Sequence, residues 1–255
     1  MLQKRVIPCL LLHKGGLYKT EKFKKPTYIG DPINAIKIFN EKEVDELMFL
    51  DIDATVHDKE PNYKMIEDIA SECFMPLCYG GGVKSIAQMK KIYALGVEKI
   101  SLSSQAVLNP HFISEAAHIF GNQSVIVTID VKKDFWGNKK VFICNGKTNT
   151  KLNPTEFIIH IESLGAGEIV INSIDNDGMM MGYDIELLKE LKANTKVPIV
   201  ALGGAGKLEH IKAVFADTNV DAVACGSMFV YKGPLKGVLI SYPSINIISQ
   251  IVDVD

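Results

Sequence analysis

Two segments of this sequence, half a chain apart, repeat one another. Met75-Pro-Leu-Cys-Tyr-Gly-Gly-Gly82 aligns with Val197-Pro-Ile-Val-Ala-Leu-Gly-Gly204, which sets Pro76 on Pro198 and Gly81-Gly82 on Gly203-Gly204. Carried onward with a one-residue slip, the frame places Val97-Glu98 on Val220-Asp221 and Ser103-Ser104 on Gly226-Ser227. Earlier, Glu46-Leu-Met-Phe-Leu-Asp-Ile-Asp53 falls on Glu168-Ile-Val-Ile-Asn-Ser-Ile-Asp175, again at an offset of 122 in a chain of 255 residues. A repeat at half length points to two equivalent halves. The length is awkward for one ordinary domain or for two, but suits a fold that runs to about 250 residues as one unit.

Short apolar runs alternate with segments of helical period along the whole chain. Strands are expected at Arg5–Leu11, Glu46–Asp51, Met75–Tyr79, Glu98–Ser103, Ser124–Asp130, Glu168–Asn172, Val197–Leu202 and Asp221–Cys225. Helices are expected near 31–42, 62–73, 85–95, 110–120, 153–165, 184–194 and 207–217. The strands are almost continuously apolar, as in a parallel sheet covered on both faces. Eight of them fit a doubly wound sheet or a closed barrel, and the repeat decides for closure. The expected fold is a single α/β domain over 1–255, a (β/α)8 TIM barrel. Its homologous half-barrels are about 1–120 and 121–230, followed by a divergent C-terminal tail, 231–255.

Composition removes several functional classes. The chain is 47% hydrophobic and 23% charged, with a net charge of −2, so disorder and a global polycation for nucleic acid are excluded. Cys9, Cys73, Cys78, Cys144 and Cys225 are odd in number and lack paired metal-ligand spacing, and the six histidines show none either. No cofactor and no metal are expected. The N-terminus lacks the pattern of a signal peptide, and no apolar run reaches the ~18 residues of a membrane span. The reading is a reduced, cytoplasmic protein without membrane contact.

The chemistry should lie where barrel strands end. Gly80–Gly82 and Gly203–Gly206 follow the third and seventh strands, and Ser103-Ser104 and Gly226-Ser227 follow the next strand of each half. Such small residues let backbone N–H groups approach an anion. Two equivalent clusters across the mouth suggest a ligand with a phosphate at each end. Lys19, within the basic run 19–25, is a candidate phosphate contact. Asp51, Asp53, Asp130, Asp175 and Asp177 gather at the same rim, and Asp130, closing an apolar strand, is suited to proton transfer. The repeat predicts a partner group where the first strand ends, but that position is Leu11. Trp136 is expected to pack on the barrel mouth. At the other ends of the strands, Arg5, Glu46, Lys99 and Glu168 could close a neutral ion-paired ring; a stabilising cap on the bottom face is the plainer reading of the same four charges.

These stretches resemble the cyclase subunit of imidazole glycerol phosphate synthase over about residues 1–230. The matching motifs are KRVIPCL at 4–10, Lys19, Gly30-Asp31-Pro32, DELMFLDI at 45–52, Pro76 with Gly80–Gly82, Ile129-Asp130 and LGAGEI at 164–169. Asp175 with Asp177-Gly178, Gly182-Tyr183-Asp184 and GGAGKLEH at 203–210 complete them. The resemblance implies a heterodimer with a glutaminase subunit, whose ammonia passes through the barrel with Arg5, Glu46, Lys99 and Glu168 as its gate. It implies Asp130 as one of two catalytic aspartates. The phosphorylated substrate site would include Lys19, Asp51, Gly81, Gly82, Ser103, Ser104, Asn172, Asp177, Gly203, Gly204, Gly226 and Ser227.

Three positions depart from that pattern. Leu11 stands where the family has its other catalytic aspartate, and Asn172 and Asp53 replace threonines. Beyond Phe229 the tail no longer resembles the usual final helix. These traits resemble a paralogue group of surface-sugar gene clusters, whose members act with a glutaminase and a sugar amidotransferase in converting acetamido to acetamidino groups. A genuine cyclase of histidine biosynthesis and a non-catalytic ammonia conduit are the alternatives.

Overall fold

In the computed structural model, which describes residues 4–252, eight parallel strands close into a (β/α)8 barrel. They are β1 (Arg5–His13), β2 (Leu47–Asp51), β3 (Leu77–Gly80), β4 (Lys99–Leu102), β5 (Val125–Lys133), β6 (Glu168–Ser173), β7 (Ile199–Leu202) and β8 (Ala222–Cys225). Each strand pairs in parallel with the next. β8 returns to β1 in a register that sets Ala222 beside Arg5 and Cys225 beside Pro8.

The two-residue period explains why these strands read as continuously apolar. Ile7, Cys9, Met48, Cys78, Ile126, Val170, Val200 and Ala224 form a buried cluster inside the barrel. Their strand neighbours, including Val6, Leu47, Phe49, Ile100, Val127, Ile169 and Ala201, pack outward against the helices. Burying such a side chain contributes roughly 1.5–3 kcal/mol, so both layers are strongly specified.

The helices are α1 (Pro32–Glu41), α2 (Tyr63–Glu72), α3 (Ile86–Ala94), α4 (His111–Phe120), α5 (Pro154–Ser163), α6 (Ile185–Lys192), α7 (Leu208–Asp217) and α8 (Ile245–Val252). Local chemistry starts many of them. Asp31, Asn62, Asn153 and Asp184 accept backbone N–H groups at their N-caps, and Ser85 with Gln88 forms a capping box. Although the tail has lost its sequence resemblance, it still supplies a helix. Ile248 and Ile251, three apart, bury one face of α8, which packs beside α7. Just before it, the Tyr242 hydroxyl donates to the Val6 carbonyl at 2.8 Å, joining the tail to the first strand.

Three antiparallel hairpins extend the mouth end. Gly16–Glu21 folds back on β1 and pairs with Lys24–Gly30. Lys139–Ile143 folds back on β5, and Tyr231–Lys232 pairs with Gly237–Val238 after β8. β1 and β5 therefore run to His13 and Lys133, past the expected ends at Leu11 and Asp130. The five cysteines are free thiols. Among the described residues no helix is long and apolar enough to cross a membrane.

Candidate active site

The C-terminal ends of the strands surround one deep cleft. Asp130, Lys19, Asp51, Gly81, Gly82, Ser103, Ser104, Asn172, Asp177, Gly203, Gly204, Gly226 and Ser227 all line it, together with Leu11. Asp53 and Asp175 do not. Asp53 turns to the His13 imidazole, and Asp175 accepts the Lys133 backbone N–H at 2.9 Å.

Asp130 leaves β5 pointing into the cleft from a buried position. Ser103 Oγ donates to its Oδ2 at 3.1 Å, and Asn172 Nδ2 donates to its Oδ1 at 3.1 Å. Burial raises its pKa against these two hydrogen bonds, with the Asp177 charge adding to the rise, to about 7. A carboxyl titrating near neutrality is matched to proton transfer. Asn172 Oδ1 is buried without a partner among the described residues and remains an acceptor.

Asp177, also in the cleft, is raised by burial to about 6, with Lys19 and Thr20 acting in the opposite direction. Lys19 is buried on the first hairpin, where its Nζ donates to the Cys9 carbonyl at 2.5 Å. Burial lowers its pKa, so an arriving anion would relieve a poorly solvated cation. Asp51 is a turn cap, its Oδ1 accepting from Asp53 and Ala54 N–H groups. Leu11 packs on the apolar interior and presents no acid–base group on the β1 side.

The two glycine clusters lie four strands apart, after β3 and β7, and thus across the mouth. Gly81 has φ +128, and a Cβ there would lie 2.5 Å from the Asp51 carbonyl, so the turn needs glycine. Ser104 begins the helical turn Ser104–Leu108, and Ser227 begins the 3-10 turn Ser227–Phe229. The Ser104 hydroxyl is already engaged by the Cys144 N–H at 3.0 Å.

At the opposite end, Arg5, Glu46, Lys99 and Glu168 close a ring. Arg5 contacts Glu46 at 2.5 Å and also Glu168, while Lys99 reaches Glu46 at 2.8 Å and Glu168 at 3.1 Å. Burial acts to lower the Lys99 ammonium, but the two glutamates outweigh it and hold the pKa above its ordinary value. The ring thus keeps its two cations charged below the apolar interior.

Two features lay beyond the sequence reading. His13 Nδ1 meets Asp53 Oδ1 at 2.6 Å, and Ser101 and Thr128 share a hydrogen bond at 2.7 Å on the cleft floor. Strand alternation could have found the first, since His13 follows Cys9 and Leu11 on one face of β1. Trp136 departs from expectation: it does not pack on the mouth but stands 81% exposed at a hairpin tip. The turn pulls its backbone to Asp134 and projects the ring outward.

Fold and site together define a (β/α)8-barrel protein with two opposed glycine turns and a buried carboxyl at one end and a charged ring at the other. Residues 5–236 match the family described as histidine biosynthesis proteins. A Pseudomonas aeruginosa protein, provisionally named an imidazole glycerol phosphate synthase subunit, is 51% identical over 246 residues, spanning 96% of this chain and 98% of that one. A Leptospira interrogans protein, named in the same provisional way as the HisF subunit, is 51% identical over 245 residues, 96% of each chain. The Clostridium botulinum imidazole glycerol phosphate synthase subunit HisF is 39% identical over 236 residues, 91% of this chain and 92% of that one. The chain belongs to the histidine biosynthesis family, in its HisF-type branch.

Proposed function

We propose that this chain is the synthase subunit of a glutamine-dependent amidotransferase complex. Ammonia released by a glutaminase subunit at the ring end passes along the barrel axis and is used at the mouth. The observation that carries this reading is the polarity of the barrel. A closed charged ring stands at one end, an apolar interior follows, and Asp130 waits at the other. For the acceptor we favour a sugar acetamido group that becomes acetamidino, in surface-glycan synthesis with a sugar amidotransferase. Leu11 supports that choice, because ring closure by an acid–base pair across the mouth lacks one member.

A second reading is favoured by the two opposed cradles, which fit a substrate with a phosphate at each end. In it the chain closes imidazole glycerol phosphate from ammonia and a bisphosphorylated formimino ribulosyl carboxamide, releasing an aminoimidazole carboxamide ribotide. Free ammonium and that bisphosphate separate the two. The first reading expects no turnover by the natural chain and ring closure gained in Leu11→Asp. Turnover by the natural chain that Asp130→Asn abolishes would establish the second.

The ring provides its own test. Lys99→Ala leaves two carboxylates sharing one cation at the constriction, and is expected to change glutamine-driven transfer at least severalfold while ammonium-driven transfer stays the same. Equal effects on both rates would make the ring a structural cap.

A further inference from the structure

Large apolar side chains crowd the mouth end of the barrel. Phe135, Trp136, Met181 and Leu235 are 93, 81, 80 and 94% exposed, and each stands on a loop that follows a barrel strand: β5, β6 or β8. Leu108, 66% exposed, joins them after β4. Phe74, at 85%, is the comparable residue at the ring end. A single exposed apolar residue is unremarkable, but here five stand on four loops around one opening.

The surface is preassembled. Lys236 of the β8 loop is ion-paired with Glu21 of the first hairpin. The Lys22 N–H donates to the Asp177 carbonyl at 2.9 Å, tying that hairpin to the β6 loop. Across the mouth, the Asn145 side chain donates to the Ile52 carbonyl at 2.6 Å. The aromatic tip is a locked turn, because Asp134 Oδ1 accepts the Trp136 and Asn138 N–H groups at 2.9 Å each. Phe135 and Trp136 lie edge to face at 5.5 Å. Rigid aromatic anchors lose little conformational entropy on docking.

Charge narrows the occupant. Lys22, Lys25, Lys133 and Lys232 are exposed on the three hairpins and Lys147 in the turn that follows Ile143, and none of the five makes a salt bridge among the described residues. The rim is thus basic on a chain whose net charge is −2. A diffusible phosphorylated substrate would be drawn by these lysines but gains nothing from the apolar tips. We propose that the rim of the mouth is a docking surface for an acidic partner protein, which covers the ammonia exit and holds the nitrogen acceptor against the cleft. The last clause rests on the ammonia-delivery reading; the docking surface does not.

The test uses the full chain in complex with its glutaminase, with a photocrosslinking residue replacing Trp136 or, separately, Leu235, irradiated in the producing cells. One acidic protein should crosslink at both positions. Once purified, it should bind the complex directly. Phe135→Ser with Trp136→Ser should weaken that binding by ~30-fold or more, and Lys133→Glu with Lys232→Glu should weaken it too. Melting temperature and glutaminase binding should be unchanged in both variants. Crosslinks only to a second copy of the chain, none at either position, or affinity indifferent to both variants would overturn the proposal. So would binding to phosphatidylserine vesicles that the same variants abolish, with no protein captured. A partner that docks as expected yet whose acceptor receives no glutamine nitrogen would uphold the surface and overturn the delivery reading.

Discussion

Asp130→Asn is expected to lower ammonium-driven turnover at the mouth by ~10²–10⁴-fold, the range that general acid–base groups contribute. The same variant should be more stable than the natural chain at pH 8. Asparagine is nearly isosteric and keeps both contacts: its oxygen can accept from Asn172 Nδ2, and its amide can donate to Ser103 Oγ. What it removes is a charge in a buried place. The folded pKa of Asp130 is about 7, above the ordinary carboxyl value of 3.8, so the folded chain binds the proton more tightly than the unfolded chain. Stability from this group is therefore full below the unfolded pKa and is lost as pH rises through about 7. Asparagine suffers no such loss. The gain should reach about 2–4 kcal/mol at pH 8 and vanish near pH 4, readable as a Tm difference that grows with pH. Unchanged turnover in Asp130→Asn would place the chemistry on another protein and leave this chain as the ammonia route alone. A Tm difference independent of pH would show that Asp130 carries no buried charge.

The barrel was legible because its cause is repetitive. Parallel strands covered on both faces must be apolar at nearly every position, so the eight runs stood out without alignment. The mouth was legible for a related reason. Glycines and carboxylates immediately after apolar strands are forced onto one end by the topology, and Asp130, Asn172, Asp177 and the two glycine clusters do line one cleft. The hairpins were not legible. Gly16–Glu21 and Lys139–Ile143 alternate weakly and carry lysines, and each continues a barrel strand, so they read as polar loop. The same error cut β1 at Leu11 and hid His13 from Asp53. Trp136 was misplaced because an aromatic in a loop ordinarily seeks cover, whereas the Asp134 turn fixes this one outward. In α8 the family's sequence is gone but the three-residue spacing of Ile248 and Ile251 is enough to bury a helical face.

Gly204→Ala should destabilise the fold by about 4 kcal/mol or more. Gly204 has φ +115, a conformation costly for any L side chain, and an added Cβ would stand 2.0 Å from the Gly182 carbonyl oxygen. That oxygen cannot withdraw freely. It accepts the Asn176 side-chain amide at 2.9 Å, while the Gly182 N–H donates back to the Gly204 carbonyl at 2.8 Å. The methyl therefore pushes the whole β6 loop, and with it Asp177, away from the β7 turn. For a chain of this length the stability loss corresponds to a fall in Tm of ~8–16 °C. Gly233→Ala supplies the control. It also has positive φ, +72, but nothing lies within 4 Å of its Cβ, so it carries backbone strain without collision. That change should cost about 1–2 kcal/mol. If Gly203 and Gly204 cradle a phosphate as proposed, the surviving folded fraction of Gly204→Ala should also show a raised KM for a phosphorylated acceptor, with Gly233→Ala unaffected. Equal Tm shifts in the two variants would remove the steric argument, and a KM unchanged in Gly204→Ala would remove the cradle.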